Sequence, residues 1–169
     1  MFKMITQTQL KELLNYDSDT GIFTWIKQRN SRTKIGSVAG CKQSDGYIRI
    51  WIDYKPYPSH RLVWMYVYGE FPKKDLDHVN KVKDDNRIVN LRLATKQENK
   101  QNHSAPQSNN KSGYLGVSWN KRAKKWKAQI QMNGKVKYLG LFKYSKEAYE
   151  AYLKAKRELH TFWVEDQQQ

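Results

Sequence analysis

Four residues near the middle of the chain have side chains and spacing suited to hydrolysing a phosphodiester. Asp77 and His78 are adjacent, Asn90 follows His78 by 12 residues, and Asn99 follows Asn90 by 9. Carboxylate and carboxamide oxygens can bind a hard divalent cation whose shell is completed by water and substrate phosphate. An ordinary imidazole titrates near neutrality, so a neutral His78 can take the proton from an attacking water. We predict that Asp77 and Asn99 hold a metal ion and that His78 is the general base. Asn90 either supports its loop or orients His78 through its backbone carbonyl.

The charge of the chain indicates a polyanionic partner. Its 169 residues include 31 Lys and Arg against 16 Asp and Glu, a net charge of +15. Such an excess favours association with nucleic acid. An RNA-binding protein would share this charge, and a surface that only keeps the protein soluble is the alternative.

The cysteine count and the length of the apolar runs indicate the cellular compartment of the protein. The single cysteine, Cys41, excludes an intrachain disulfide and a cysteine-based zinc site. The longest apolar run, residues 62–68, is too short to cross a bilayer, and the N-terminal residues lack the apolar core of a signal peptide. We expect a soluble cytoplasmic protein with no signal peptide and no membrane partner.

The residues before the four-residue group predict a β-rich region over 1–58, with a short amphipathic helix within residues 1–15. Residues 47–54 alternate between two faces, as expected of a strand, and Pro56 and Pro58 are predicted to end it. Ser59 is a candidate N-cap for a helix over 60–68 that Gly69 ends.

The segment that carries the four residues is predicted to run in the order strand, loop, strand, helix. Leu91-Arg92-Leu93 suits a short strand, and Thr95-x-x-Glu98 is a capping box. Asn99 should therefore lie in the first turn of a helix that starts near Lys96.

The C-terminal part predicts a separate small module. Residues 104–112 have a linker composition, and 113–160 predict three strands and a helix that Ser145 caps and that runs through about Leu159. Asn133-Gly134 is a strong hairpin signal. Residues 111–160 carry 13 basic and 3 acidic residues, so this module is the most basic part of the chain.

The central segments resemble the HNH nuclease family. The resemblance rests on HRLVW at 60–64, DHVN at 77–80, DNRIVNLR at 85–92 and ATKQEN at 94–99. It implies an α+β protein with a ββα-metal (His-Me finger) nuclease core over 59–103 and an endonuclease acting on double-stranded DNA. The third position holds Asn99 in place of the family's histidine, which favours Mg²⁺ or Mn²⁺ over zinc. The preceding helix and the opening motif YDSDTGIFTW are similar to phage-type homing endonucleases. Arg87 and Arg92 are candidate phosphate clamps, with a surface ion pair as the alternative for each.

The C-terminal module resembles the DNA-binding domain of plant ethylene-response factors, the APETALA-two family. The resemblance rests on LGV at 115–117, KWKA at 125–128, YLG at 138–140 and the helical EA and AY pairs at 147–148 and 151–152. It implies a three-stranded antiparallel sheet that lies in the major groove, with one helix behind it. The implied DNA-binding residues are Ser118, Asn120, Lys121, Arg122, Lys125, Lys127, Gln129, Gln131 and Tyr138. Leu115, Ser118 and Gln131 replace arginines of the plant domains, so the base specificity cannot be transferred. Trp126 is interpreted as a core residue under the helix.

These observations together predict a homing-type DNA endonuclease of phage or mobile-element origin that acts as a monomer. The alternative is a non-catalytic DNA-binding regulator built on a decayed nuclease core. Metal-dependent cleavage that EDTA blocks would distinguish the two.

Overall fold

The computed structural model describes residues 4–28, 33–102, 106, 110–160 and 162–164. They divide into two compact units, one ending at Thr95 and the other beginning at Lys96. Much of the linker predicted at 104–112 lies outside the described residues, and the predicted domain boundaries stay a prediction. No helix in the described ranges is long and apolar enough to span a membrane.

In its described residues, the first unit contains two α-helices, a short 3-10 helix at Ile88–Asn90 and seven short strands. In chain order the α-helices and strands are α1 (Gln7–Leu13), β1 (Leu14–Tyr16), β2 (Phe23–Trp25), β3 (Cys41–Lys42), β4 (Ile48–Ile52), β5 (Lys55–Pro58), α2 (Ser59–Tyr68), β6 (Asp75–His78) and β7 (Leu91–Ala94). Strands β1 and β2 form one antiparallel hairpin, β3, β4 and β5 form a three-stranded sheet, and β6 pairs with β7. Five of these strands lie within residues 1–58, and α2 corresponds to the helix predicted over 60–68.

Two local predictions in this unit are wrong. Pro56 and Pro58 do not end the strand pairing, because both lie within β5, which pairs with β4. β5 is at the edge of its sheet, where a residue without an N–H group is tolerated. Ser59 is the first helical residue instead of the N-cap, which is Pro58. Gly69 ends α2 in a left-handed conformation, as predicted.

The core of the first unit lies beneath α2. Leu62 and Val63 on α2 are fully buried, together with Leu10, Leu14 and Ile50 from α1, β1 and β4. Burying one such side chain stabilises the folded state by roughly 2 kcal/mol relative to leaving it exposed. Because α2 directly precedes β6 in the chain, this packing fixes one end of the segment that carries Asp77 and His78.

The second unit is a three-stranded antiparallel sheet with two helices. Its elements are α3 (Lys96–Asn102), β8 (Val117–Asn120), β9 (Lys125–Met132), β10 (Lys135–Phe142) and α4 (Ser145–Leu159), and β9 is the central strand. Asn133 and Gly134 connect β9 to β10 with φ angles of 51° and 76°, which confirms the predicted hairpin. The predicted cap at Ser145 is wrong by one residue, because Ser145 is the first helical residue of α4 and Tyr144 is the N-cap.

Helix α4 packs on one face of this sheet through small and aromatic side chains. Ala148, Tyr152 and Ala155 on α4 are buried with Ala128 and Ile130 of β9. Gly116, at φ +74°, lies so close that a Cβ atom there would be 2.2 Å from the Tyr152 ring. The opposite face of the sheet is left for polar and basic side chains.

Candidate functional site

Strand β6 places Asp77 and His78 next to each other at its C-terminal end. The strand pairs with β7 so that Asp77 is opposite Arg92 and His78 is opposite Leu91. The side chains are buried, with 7% of Asp77 and 4% of His78 exposed. Buried polar side chains need hydrogen-bond partners, so the neighbours of these two residues decide what each can do.

Asp77 is paired with an arginine from the facing strand. Arg92 donates from both Nε and Nη2 to Asp77 Oδ2, at 3.0 and 2.9 Å. The cross-strand register makes this contact possible. Arg92, predicted as a phosphate clamp, therefore holds its positive charge beside the predicted metal ligand.

His78 is oriented by a residue that the sequence reasoning missed. Its Nε2 lies 3.2 Å from Oδ1 of Asn86, a side chain that is only 1% exposed. Asn86 Nδ2 donates to the backbone carbonyl of Asp84 at 3.2 Å, which orients the amide with its oxygen toward His78. The tautomer that satisfies this contact carries its proton on Nε2, so Nδ1 has the lone pair. The signal in the sequence was an asparagine inside the quoted DNR segment, at a position without helical or strand periodicity.

Two aromatic rings lie beside His78. The ring of His60, on α2, is 5.3 Å from that of His78, and Tyr47 is 5.8 Å away. Burial lowers the pKa of His78, although its contacts with Asn86 and Asp77 act in the opposite direction. The pKa of His60 falls to about 4, mainly through burial and then through the charges of His78 and Arg61. Both imidazoles are therefore neutral at neutral pH.

Asn90 holds the loop between β6 and β7 together. Its Oδ1 accepts from the backbone N–H of Asn80 at 3.0 Å, and its Nδ2 donates to Asn80 Oδ1 and to the carbonyl of Asp85. Its backbone carbonyl accepts from the N–H of Val79 at 2.9 Å. Of the two roles predicted for Asn90, these contacts correspond to loop support, while the side chain of Asn86 contacts the His78 ring.

Arg87, the other predicted phosphate clamp, lies on the same loop. It pairs with Asp85 through Nε–Oδ1 and Nη2–Oδ2 contacts of 2.8 and 2.6 Å. Arg87 is exposed. Pairs of this kind contribute little to stability, so the guanidinium can exchange its carboxylate for a phosphate at low energetic cost.

Asn99, the second predicted metal ligand, lies on α3 and is half-buried. Among the described residues, no group of three or more His, Cys, Asp or Glu side chains could hold a metal ion. A donor set of one carboxylate and one carboxamide fits Mg²⁺ or Mn²⁺, which keep much of their shell as water and phosphate oxygen. It does not fit zinc, which takes nitrogen and sulfur ligands.

The second unit places most of the predicted DNA-binding side chains on one face of its sheet. The register pairs Ser118 with Lys127, Asn120 with Lys125, and Gln129 with Tyr138, and these positions alternate with those that pack against α4. Gln131 follows on the same face of β9, and Lys121 and Arg122 are exposed in the β8–β9 turn. Asn120 also accepts from the N–H of Ala123 at 3.0 Å, so part of its hydrogen-bonding capacity holds the turn. Trp126 packs with the Val117 and Ala128 core, in an edge contact with Trp119.

Comparison with known proteins identifies the region around β6 and β7. A family model described as HNH endonuclease matches residues 57–101. A protein of Escherichia phage T7, "Protein 3.8", is 36% identical over 83 residues, which cover 48% of this chain and 68% of the phage protein. The chain carries an HNH endonuclease domain and is a relative of the phage protein. No solved structure matches the chain.

The HNH domain spans the residues that the sequence analysis singled out for chemistry. The match begins within β5 and includes α2, β6, β7 and all but the last residue of α3. It contains Asp77, His78, Asn86, Asn90 and Asn99. The sheet of the second unit lies outside the match.

Proposed function

We propose that this protein is a metal-dependent DNA endonuclease in which His78 is the general base. The contact between His78 Nε2 and the buried Asn86 supports this proposal most strongly. It fixes the ring and its tautomer before substrate arrives, which is the arrangement that a general base requires. The lowered pKa of His78 supports it as well, because burial keeps the imidazole unprotonated and able to accept a proton.

The proposed reaction is an in-line attack of water on a phosphodiester. His78 Nδ1 takes a proton from the water as the new phosphorus–oxygen bond forms, and the bond to the leaving oxygen breaks. Arg92, held 2.9 Å from Asp77, stabilises the negative charge on the phosphate, and Arg87 can contact a neighbouring phosphate. Asn90 acts through the loop that it holds, and Asn86 acts through the orientation of His78.

Asp77 and Asn99 are proposed to hold the metal ion. A bound Mg²⁺ or Mn²⁺ would stabilise charge on the phosphate and on the leaving oxygen. The amide of Asn99 contributes no charge, so Asp77 is the single anionic protein ligand in this set. This distribution suits a cation that retains water and binds substrate oxygens.

The sheet of the second unit is proposed to bind duplex DNA in the manner of the APETALA-two domains. Lys125 and Lys127 lie on the face that α4 leaves open, and Lys121 and Arg122 are exposed beside it. Such side chains suit phosphate contacts, and Gln129 and Gln131 suit the edge of adenine. We further propose a homing-type enzyme of a phage or mobile element that acts as a monomer in the host cytoplasm.

Nicking of supercoiled plasmid with Mg²⁺ or EDTA tests the proposed function. The wild-type chain should nick plasmid only with the metal. His78→Ala should reduce the rate by at least about 10²-fold, because general-base catalysis contributes on that order. Val89→Ala is the matched control, since this residue lies between Asn86 and Asn90 but is 83% exposed.

Binding measured in EDTA completes this test. His78→Ala should bind a DNA duplex as the wild type does, because the substitution removes the base and no positive charge. Nicking by His78→Ala at the wild-type rate would refute the mechanism. DNA binding by the wild type with no cleavage under any divalent metal would favour the regulator alternative.

A further inference from the structure

The second unit contains a cavity that the proposed catalysis does not use. It has a volume of about 520 Å³, within the usual range for small-molecule sites. Helix α3 lines one side with Lys96, Gln97, Lys100 and Gln101, and β9 lines another with Gln129 and Gln131. We call this cavity the α3 groove.

The two lysines give the α3 groove its positive charge. Lys96 and Lys100 are four residues apart on α3, so their side chains lie on the same side of the helix. Both are exposed, and neither forms an ion pair with any residue that the structure describes. Two neighbouring ammonium groups without acidic partners are suited to a phosphate group.

Two buried acceptor atoms belong to residues that line the same groove. Gln101 Oε1 and His160 Nδ1 are sealed from solvent and have no hydrogen-bond partner in the described part of the chain. His160 Nε2 lies 3.0 Å from the carbonyl of Gln131 and must donate to it, which makes Nδ1 an acceptor. Burial lowers the pKa of His160, so the ring is neutral and keeps that lone pair. Leaving such atoms unpaired is unfavourable, and a ligand with N–H groups would satisfy them.

A nucleotide carries both kinds of group that the α3 groove lacks. Its phosphate matches the two lysines, and the N–H groups of its base match the two acceptors. A base within a duplex already uses those N–H groups in pairing and is stacked on its neighbours. We propose that the α3 groove is a subsite for one unpaired nucleotide of a DNA strand, which rests on the proposed function for the identity of the ligand.

The α3 groove shares a helix with one of the proposed metal ligands. Asn99 lies on the same helix but does not line the groove. A nucleotide in the groove would hold the strand close to the side chain proposed to bind the metal.

Binding of short single strands to the full chain in EDTA tests this inference. The probes are a labelled tetramer of deoxyadenosine and a tetramer of abasic sites, followed by fluorescence anisotropy over a range of salt concentrations. Lys96→Ala/Lys100→Ala should weaken binding of both probes about tenfold. It should also reduce the slope of log affinity against log salt concentration by roughly 1.4. Lys146→Ala/Lys154→Ala removes the same charge from exposed positions on α4 and should change affinity less than about twofold.

Gln101→Leu tests the acceptor half of the proposal. It should weaken binding of the deoxyadenosine tetramer about tenfold, the loss expected for one buried hydrogen bond. Binding of the abasic tetramer should not change. It should not lower the thermal stability, because it replaces a buried oxygen that has no partner with an apolar group.

Equal affinity of the wild type for the two tetramers would overturn the base-binding role, and equal losses in the two lysine pairs would overturn the phosphate-binding role. Plasmid nicking measured in parallel separates this inference from the proposed function. Normal nicking with unaltered binding by all groove variants would refute the groove alone. If the groove variants selectively lose tetramer binding while the wild-type chain cuts no DNA, the groove is supported and the proposed endonuclease function is refuted.

Discussion

His60 gives the first unit a dependence on pH that can be calculated. Its pKa falls from the ordinary 6.5 to about 4, chiefly because burial disfavours the charged ring. In the unfolded chain the ring regains its ordinary pKa. As the pH falls below 6.5, the unfolded state takes up a proton that the folded state does not, so stability falls until about pH 4.

The magnitude follows from the two pKa values. Between about pH 7 and about pH 5, His60 alone should remove about 2 kcal/mol from the free energy of unfolding. That is a sizeable fraction of the roughly 5–15 kcal/mol that stabilises a typical domain. Its Nδ1 is buried without a hydrogen-bond partner among the described residues, so the fold offers the proton no compensation at that atom.

The assay is urea unfolding followed by circular dichroism at both pH values, for the wild type, His60→Phe and His60→Gln. Neither replacement titrates, so each variant should lose about 2 kcal/mol less than the wild type on acidification. His78 and His160 also have pKa values lowered by burial, so part of the acid sensitivity should remain. If both variants lose as much stability as the wild type, the buried neutral state assigned to His60 is wrong.

Three further outcomes follow from the structure. Asn86→Leu should slow plasmid nicking by roughly 10-fold or more without changing duplex affinity in EDTA, because partners that orient a catalytic ring typically contribute that much; an unchanged rate would show that His78 needs no partner at Nε2. Lys125→Ala/Lys127→Ala should weaken duplex binding and reduce its salt slope by roughly 2; a slope equal to the wild type would argue against the open sheet face. Gly116→Ala should destabilise the second unit by roughly 2 kcal/mol or more, since its Cβ meets the Tyr152 ring at a positive φ; thermal unfolding measures this, and an unaltered melting temperature would contradict that close packing.

Local physics explains why much of the secondary structure could be read from the sequence. The Asn133-Gly134 hairpin and the end of α2 at Gly69 depend on backbone conformations that few residues adopt. The alternation in β4 and the stripe on α4 depend on the period of each element. Pro56 and Pro58 were misread because a proline is excluded from a paired central strand but tolerated at an edge. Whether a strand is at an edge is decided by the neighbours that it acquires on folding.

The sequence by itself determined that Asp77 and His78 are adjacent on a strand, that two asparagines follow at fixed intervals, and that basic residues dominate the C-terminal part. It also determined the HNH resemblance, since the motif is a spacing of residue types. Only the tertiary structure decided that Asn86 is the partner of His78, that Arg92 faces Asp77, and that His60 lies against the predicted base. These contacts depend on strand register and on how a loop folds back, and both result from packing between segments distant in sequence.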